Sequence, residues 1–269
     1  MPQHLICTLG DAHLDVVVSL RGPLAADTDT PARTKLAVGG QAANVAAWVV
    51  ALGARSRLIA ARGTDLAAEL VARDLTSRGV ERVGPVIEGG TGTIVSLSDG
   101  SQRSMLSDRG VGPLLPPDAI EAAWLDGCSW LHLPGYSLTI EPVSGAALEA
   151  ARLARKASAR ISVDLSSTAA IGEYGVAAFR HLIGRLRPDL VLGTRAEIDL
   201  VGDLPSIDVV VKLGADGVLV GDRHYPANPV EPVDTTGAGD AFAAGYLVGG
   251  VALGLEAAAR SVAKIGGMP

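Results

Sequence analysis

The stretch Asp234-Thr235-Thr236-Gly237-Ala238-Gly239-Asp240-Ala241-Phe242 is a turn of small residues that runs straight into an apolar helix, read over 241–251. Glycines let the backbone turn tightly and let a ligand come close. The first turn of a helix has unpaired N–H groups, and the helix dipole favours an anion there. Together these features make a cradle for phosphate. Asp240 fits such a cradle poorly, because a carboxylate repels phosphate. Local physics leaves two readings open. Asp240 caps its own helix, or it takes the proton from a hydroxyl that attacks a phosphoryl group held by the N–H groups of Gly237–Gly239.

Outward from this turn, apolar runs of strand length alternate with alanine-rich runs of helix length. Strands are expected over 5–9, 16–20, 57–61, 130–133, 161–164, 190–192 and 209–213. Helices are expected over 43–52, 65–77 and 143–156. Gly53 and Gly79 stand just past two of them, where glycine commonly ends a helix. Such alternation implies βαβ units and a mostly parallel sheet covered on both faces. Burial on both faces explains strands that are apolar throughout. One segment breaks the rhythm. Residues 91–97 and 102–106 are strand-like and joined by Ser98-Asp99-Gly100, a hairpin signal. The hairpin is expected to project from the main sheet and to pair with 15–20 and 33–38 as a small β-sheet lid. The whole chain, 1–269, reads as a single domain.

Composition limits the functions available. The chain has 269 residues, 48% of them apolar, a net charge of −6 and only 3% aromatics. It is too apolar for intrinsic disorder and long enough for a large core. It lacks the basic block of a phosphate-backbone binder and the aromatics of a base-stacking platform. Cys7 and Cys128 are too few for a disulfide scaffold. The N-terminus shows no signal peptide, and the longest uncharged run, 36–54, is broken by Gly39, Gly40, Gln41 and Asn44. The expectation is a soluble cytoplasmic protein with no nucleic-acid or membrane partner. Walker, dinucleotide, zinc and serine-elbow motifs are absent.

A second glycine turn, Gly39-Gly40-Gln41-Ala42-Ala43-Asn44, opens another helix. Asn44 either hydrogen-bonds a polyhydroxylated ligand or satisfies local backbone. Asp11 and Asp15 follow the first strand, at the edge where α/β folds place ligands.

In these residues the chain resembles the ribokinase-like (PfkB) carbohydrate kinases. DTTGAGDAF at 234–242 matches the C-terminal signature of that family. Gly39–Asn44 matches its Gly-Gly-x-x-Ala-Asn signature, and Gly10–Asp15 its opening segment. The resemblance runs along nearly the whole chain. It implies a Rossmann-like three-layer α/β/α fold with a β-sheet lid, and ATP-dependent phosphorylation of a hydroxymethyl group of a small sugar. It makes Asp240 the general base and Gly237, Ala238 and Gly239 the anion hole. It assigns Asp11, Asp15, Gly39, Gly40 and Asn44 to the sugar, with Thr93 and Arg103 closing from the lid. Thr194, Lys212, Gly214, Gly217, Thr235, Gly237 and Gly239 fall to ATP. Glu197 is expected to hold Mg²⁺ through water, and Asp234 a monovalent cation such as K⁺.

The chain departs from the family pattern at four places. Thr194 replaces the Asn of Asn-x-x-Glu. Lys212 stands where Thr is frequent, as a cation that helps neutralise ATP phosphates. Asp108-Arg109-Gly110-Val111-Gly112 lacks a familiar Asn. The C-terminal stretch 264–269, where the family closes the adenine site, is short. Two rival functions are a nucleoside kinase of the same superfamily and a non-catalytic sugar or nucleotide sensor. The scarcity of aromatics favours a free sugar over a nucleoside. An exposed lid sheet favours a homodimer.

Overall fold

A computed structural model describes residues 4–99 and 103–269, except for the Arg103 side chain. The chain opens with β1 (Leu5–Leu9), β2 (His13–Leu20), β3 (Ala32–Gly39) and α1 (Gln41–Ala51). It continues through β4 (Arg55–Ile59), α2 (Leu66–Ser77), β5 (Glu81–Val83), β6 (Thr91–Ser98) and β7 (Arg103–Gly110). Then follow β8 (Cys128–Pro134), α3 (Val143–Lys156), β9 (Arg160–Asp164), α4 (Thr168–Tyr174), α5 (Val176–Leu186), β10 (Leu190–Thr194) and α6 (Arg195–Val201). The last elements are β11 (Asp208–Lys212), β12 (Val218–Val220), β13 (Arg223–Tyr225), α7 (Ala238–Gly249) and α8 (Val251–Val262).

The larger sheet has the order β13-β12-β11-β10-β9-β8-β1-β4-β5, parallel from β11 to β5 and antiparallel at the β12–β13 edge. Its central strands are buried end to end, as in Leu5–Leu9. One face packs against α3 and α5 through Val143, Ala147, Phe179 and Ile183. The other packs against α1, α7 and α8 through Val45, Trp48, Phe242 and Ala257. Between β1 and β8 the direction of strand addition reverses. The crevice beyond the carboxyl ends of strands at such a point is where open α/β sheets bind ligands.

The lid is a separate sheet of order β3-β2-β6-β7, with β2 and β3 antiparallel over their whole length. The expected hairpin is present with longer strands. Its turn residues Gly100, Ser101 and Gln102 lie outside the described residues. The helix expected over 241–251 differs. The structure starts α7 at Ala238 and ends it at Gly249, and Gly250, at φ +80, turns the chain into α8. The two helices then pack so closely that a Cβ on Gly245 would lie 2.5 Å from the Leu253 carbonyl oxygen. No helix among the described residues is long and apolar enough to cross a membrane.

Candidate active site

The anion turn is built as its sequence suggests. Gly237 is the N-cap of α7 with φ +75, a left-handed conformation that suits glycine. A Cβ there would sit 2.4 Å from Gly267 Cα, so the C-terminal stretch presses on the turn. The Ala238 N–H donates to the Thr235 carbonyl at 3.3 Å. The N–H groups of Gly239 and Asp240 find no acceptor among the described residues.

Asp240, third in the helix, does not cap it. Its Oδ2 accepts the Asn44 side-chain N–H at 2.7 Å, across 196 residues of sequence. Burial pushes its pKa up to about 7; the Asn44 bond and the Lys212 charge pull it back, and the Asp164 charge adds to the rise. A buried carboxylate with a pKa near 7 has the character of a general base working at neutral pH.

On one side lie the residues expected for sugar. A Cβ on Gly39 would fall 2.3 Å from the Asp15 carboxylate, and one on Gly40, at φ +102, 2.2 Å from the Asp11 carbonyl. This contact locks the start of α1 against the β1–β2 connection. Asp11 Oδ2 accepts from Arg109 Nε at 2.6 Å, and Asp15 Oδ1 stands 3.0 Å from His13 Nε2. Asp11 Oδ1, Asn44 Oδ1 and His13 Nδ1 are buried and unpartnered among the described residues. Buried polar atoms normally have partners, so orphans gathered in one place fit a hydroxyl-rich ligand.

The lid divides the expected residues. Leu14 pairs with Thr93, and Asp15 with Ile94. Successive strand residues face opposite ways, so Thr93 lies on the lid face away from Asp15. Arg103 pairs with Ser98 through its backbone, and its side chain lies outside the described residues. His13, two residues before Asp15 and on the same face, was not singled out in the sequence. Neither was Arg109 as a ligand residue. Period-2 spacing around Asp15 was the available signal for His13.

On the other side, Thr194 and Lys212 are register partners at the ends of β10 and β11, and the turn with Gly214 and Gly217 follows. Thr194 and Glu197 form a capping box: the Thr194 hydroxyl accepts the Glu197 N–H at 3.3 Å, and Glu197 Oε2 the Thr194 N–H at 2.8 Å. Glu197 is buried at the start of α6. No group of three or more His, Cys, Asp or Glu side chains forms a metal cage among the described residues. Mg²⁺ bound by one carboxylate, waters and substrate phosphates suits this arrangement. Asp234 accepts from Thr236 at 2.9 Å and 2.6 Å and from the Gly266 N–H at 3.0 Å, which ties the anion turn to the C-terminal stretch.

A polar circuit runs between the two sides. Gln41 Oε1 accepts the Ser166 hydroxyl at 2.6 Å, and the Ser166 N–H donates to Asp164 Oδ1 at 3.0 Å. Asp164 Oδ2 pairs with Lys212 Nζ at 2.6 Å, and Lys212 lies beside Gly239.

A nine-stranded α/β body, a separate β lid and a glycine anion turn with a buried aspartate define the ribokinase-like architecture. Solved structures share it. The adenosine kinase of Sinorhizobium meliloti superposes with a TM-score of 0.85 over 100% of this chain and 96% of its own, at 23% identity. A putative ribokinase II of E. coli, in complex with ATP and Mg²⁺, does so at 0.83 over 99% and 94%, with 20% identity. The family model for pfkB family carbohydrate kinases matches residues 3–268. The ATP-dependent ribose-1-phosphate kinase of Halopiger xanaduensis is 32% identical over 90% of this chain and 83% of its own length. The chain belongs to the pfkB family of carbohydrate kinases.

Proposed function

We propose that this kinase transfers the γ-phosphoryl group of ATP to a hydroxymethyl group of a small sugar, with Asp240 as general base. The observation that carries the reading is Asp240 itself. It is a buried carboxylate with a raised pKa, held by Asn44 beside backbone N–H groups that have no acceptor among the described residues. The sugar sits against Asp11, Asp15, Gly39, Gly40 and Asn44, where its hydroxyls satisfy the orphaned polar atoms. His13 and Arg109 join this set through their pairs with Asp15 and Asp11. ATP lies along Thr194, Lys212, Gly214, Gly217 and Thr235, and its γ-phosphate meets the turn Gly237–Gly239. Glu197 is the residue that holds Mg²⁺, which offsets phosphate charge when bound. Asp234 is the residue that would hold a monovalent cation.

The reacting hydroxyl oxygen forms a bond to Pγ as the bond from Pγ to the bridging oxygen breaks. ADP leaves with that electron pair, and the hydroxyl proton passes to Asp240. Catalysis of this kind is mainly positioning and electrostatics. The lid strands cover the sugar and exclude water, which favours transfer over ATP hydrolysis.

The test is ADP release across a panel of free pentoses and hexoses, sugar 1-phosphates and nucleosides, with Asp240→Asn as blank. A sugar or sugar phosphate that supports release in the wild type and not in the blank is the expected result. Nucleoside-only release moves the substrate to that class. No release above blank makes the protein a sensor.

A further inference from the structure

Asp164 belongs to the polar circuit at the site, yet the transfer step above does not use it. It is 1% exposed, at the carboxyl end of β9, in the middle of the sheet. Both oxygens are engaged: Oδ1 by the Ser166 N–H at 3.0 Å, Oδ2 by Lys212 Nζ at 2.6 Å. Lys212 in turn lies 3.3 Å from where a Cβ on Gly239 would be, at the first turn of α7. Its ammonium has three donors, and Asp164 takes one.

We propose that Asp164 is a positioning residue that clamps the Lys212 ammonium at the anion turn, where Lys212 stabilises the phosphoryl group in flight rather than serving only to bind ATP. The inference rests on the kinase reading. Buried ion pairs add little stability over apolar packing of the same shape, so the pair has its use in where it puts the cation. The long lysine stem is flexible, and an untethered ammonium would lose entropy when drawn to the phosphoryl group. A clamped one is already in place, and preorganised charge is the kind that lowers a transition state. Lys212 keeps its proton throughout. Burial pulls its pKa down, and the Asp164 charge and hydrogen bond, together with the Glu197 and Asp240 charges, more than offset that, so the net direction is up.

The pair also faces the base. The groups acting on Asp240 are Asn44 and Gln41 from α1, Asp164 from β9 and Lys212 from β11. Asp164 favours the protonated form of Asp240 and Lys212 the ionised one. Removing each partner therefore moves the acid limb of the rate profile in opposite directions.

The experiment compares Lys212→Met, Asp164→Asn and the double variant by steady-state ADP release at saturating sugar, with ATP varied and pH scanned. Lys212→Met is expected to lower kcat by about 10²–10³-fold, as loss of one preorganised donor does. Its KM for ATP should change far less, the mark of an interaction made in the transition state. Its acid limb moves to higher pH, and that of Asp164→Asn to lower pH. The double variant, neutral and similar in volume, should fold and be no slower than Lys212→Met, because Asp164 acts through the lysine. An active wild type whose Lys212→Met variant keeps its kcat and raises only KM overturns the inference and leaves the kinase reading standing. Additive losses in the double variant also overturn it. A wild type that transfers phosphate to nothing overturns both.

Discussion

Asp240 has an ordinary carboxylate pKa in the unfolded chain and one of about 7 in the fold. Two outcomes follow from that difference. As a base it must be ionised, so kcat/KM is expected to fall about tenfold per pH unit below pH 7, with a single acid limb near 7 in a scan from pH 5.5 to 9. A flat profile across that range contradicts the assignment. For stability the sign runs the other way. The native state binds this proton more tightly than the unfolded chain, so the contribution is full below the unfolded value and lost as pH rises through about 7. Asp240→Asn removes the buried charge. Its Tm should exceed that of the wild type by more at pH 8.5 than at pH 5, while its kcat drops by about 10²–10⁴-fold. Asn44→Ala takes away a bond to the ionised form, so its acid limb should shift upward.

At the scale of elements, the site depends on helix ends. The N-terminus of α7 requires glycine at 237, because a left-handed conformation costs other residues about 1–2 kcal/mol and a side chain would strike Gly267. Gly237→Val should lower the urea midpoint by more than that strain alone and abolish ATP protection in a thermal melt. A variant that melts like the wild type would show that the C-terminal stretch yields easily. The start of α6 depends on its capping box. Thr194→Val is expected to cost about 0.5–2 kcal/mol in urea unfolding. It also unties Glu197, so the Mg²⁺ concentration needed for half-maximal rate should rise.

On the scale of the whole molecule, two sheets meet at the proposed sugar site. The larger one is buried on both faces. The lid has exposed Leu36, Met105 and Leu106 on its strands. It packs on the body through Val38 and Leu14, which join a cluster with Ala42 and Ala43 of α1 and Val71 and Leu75 of α2. Hydrogen exchange should therefore show β2, β3 and β6 gaining protection when sugar and a non-hydrolysable ATP analogue bind together, with the central strands β1 and β8 unchanged. Equal protection in both sheets would mean that the lid does not move as a unit.

Most of the architecture was legible in the sequence because its causes are local. Alternating apolar runs make a covered parallel sheet, Asp-Gly makes a hairpin, and glycine turns before apolar runs make helix N-termini. For the same reason Gly39–Asn44 and Asp234–Phe242 stood out, with Asp240 in doubt between cap and base. Tertiary packing decided the rest. It brought Asn44 to Asp240, which left the carboxylate free of its own helix. It paired Asp164 with Lys212 and laid Gly267 against Gly237, contacts between segments that carry no mark of each other. Register placed Thr93 on the far face of the lid and His13 on the near one. A one-residue step reverses a strand side chain, and only the hydrogen-bonded partner strand sets that step.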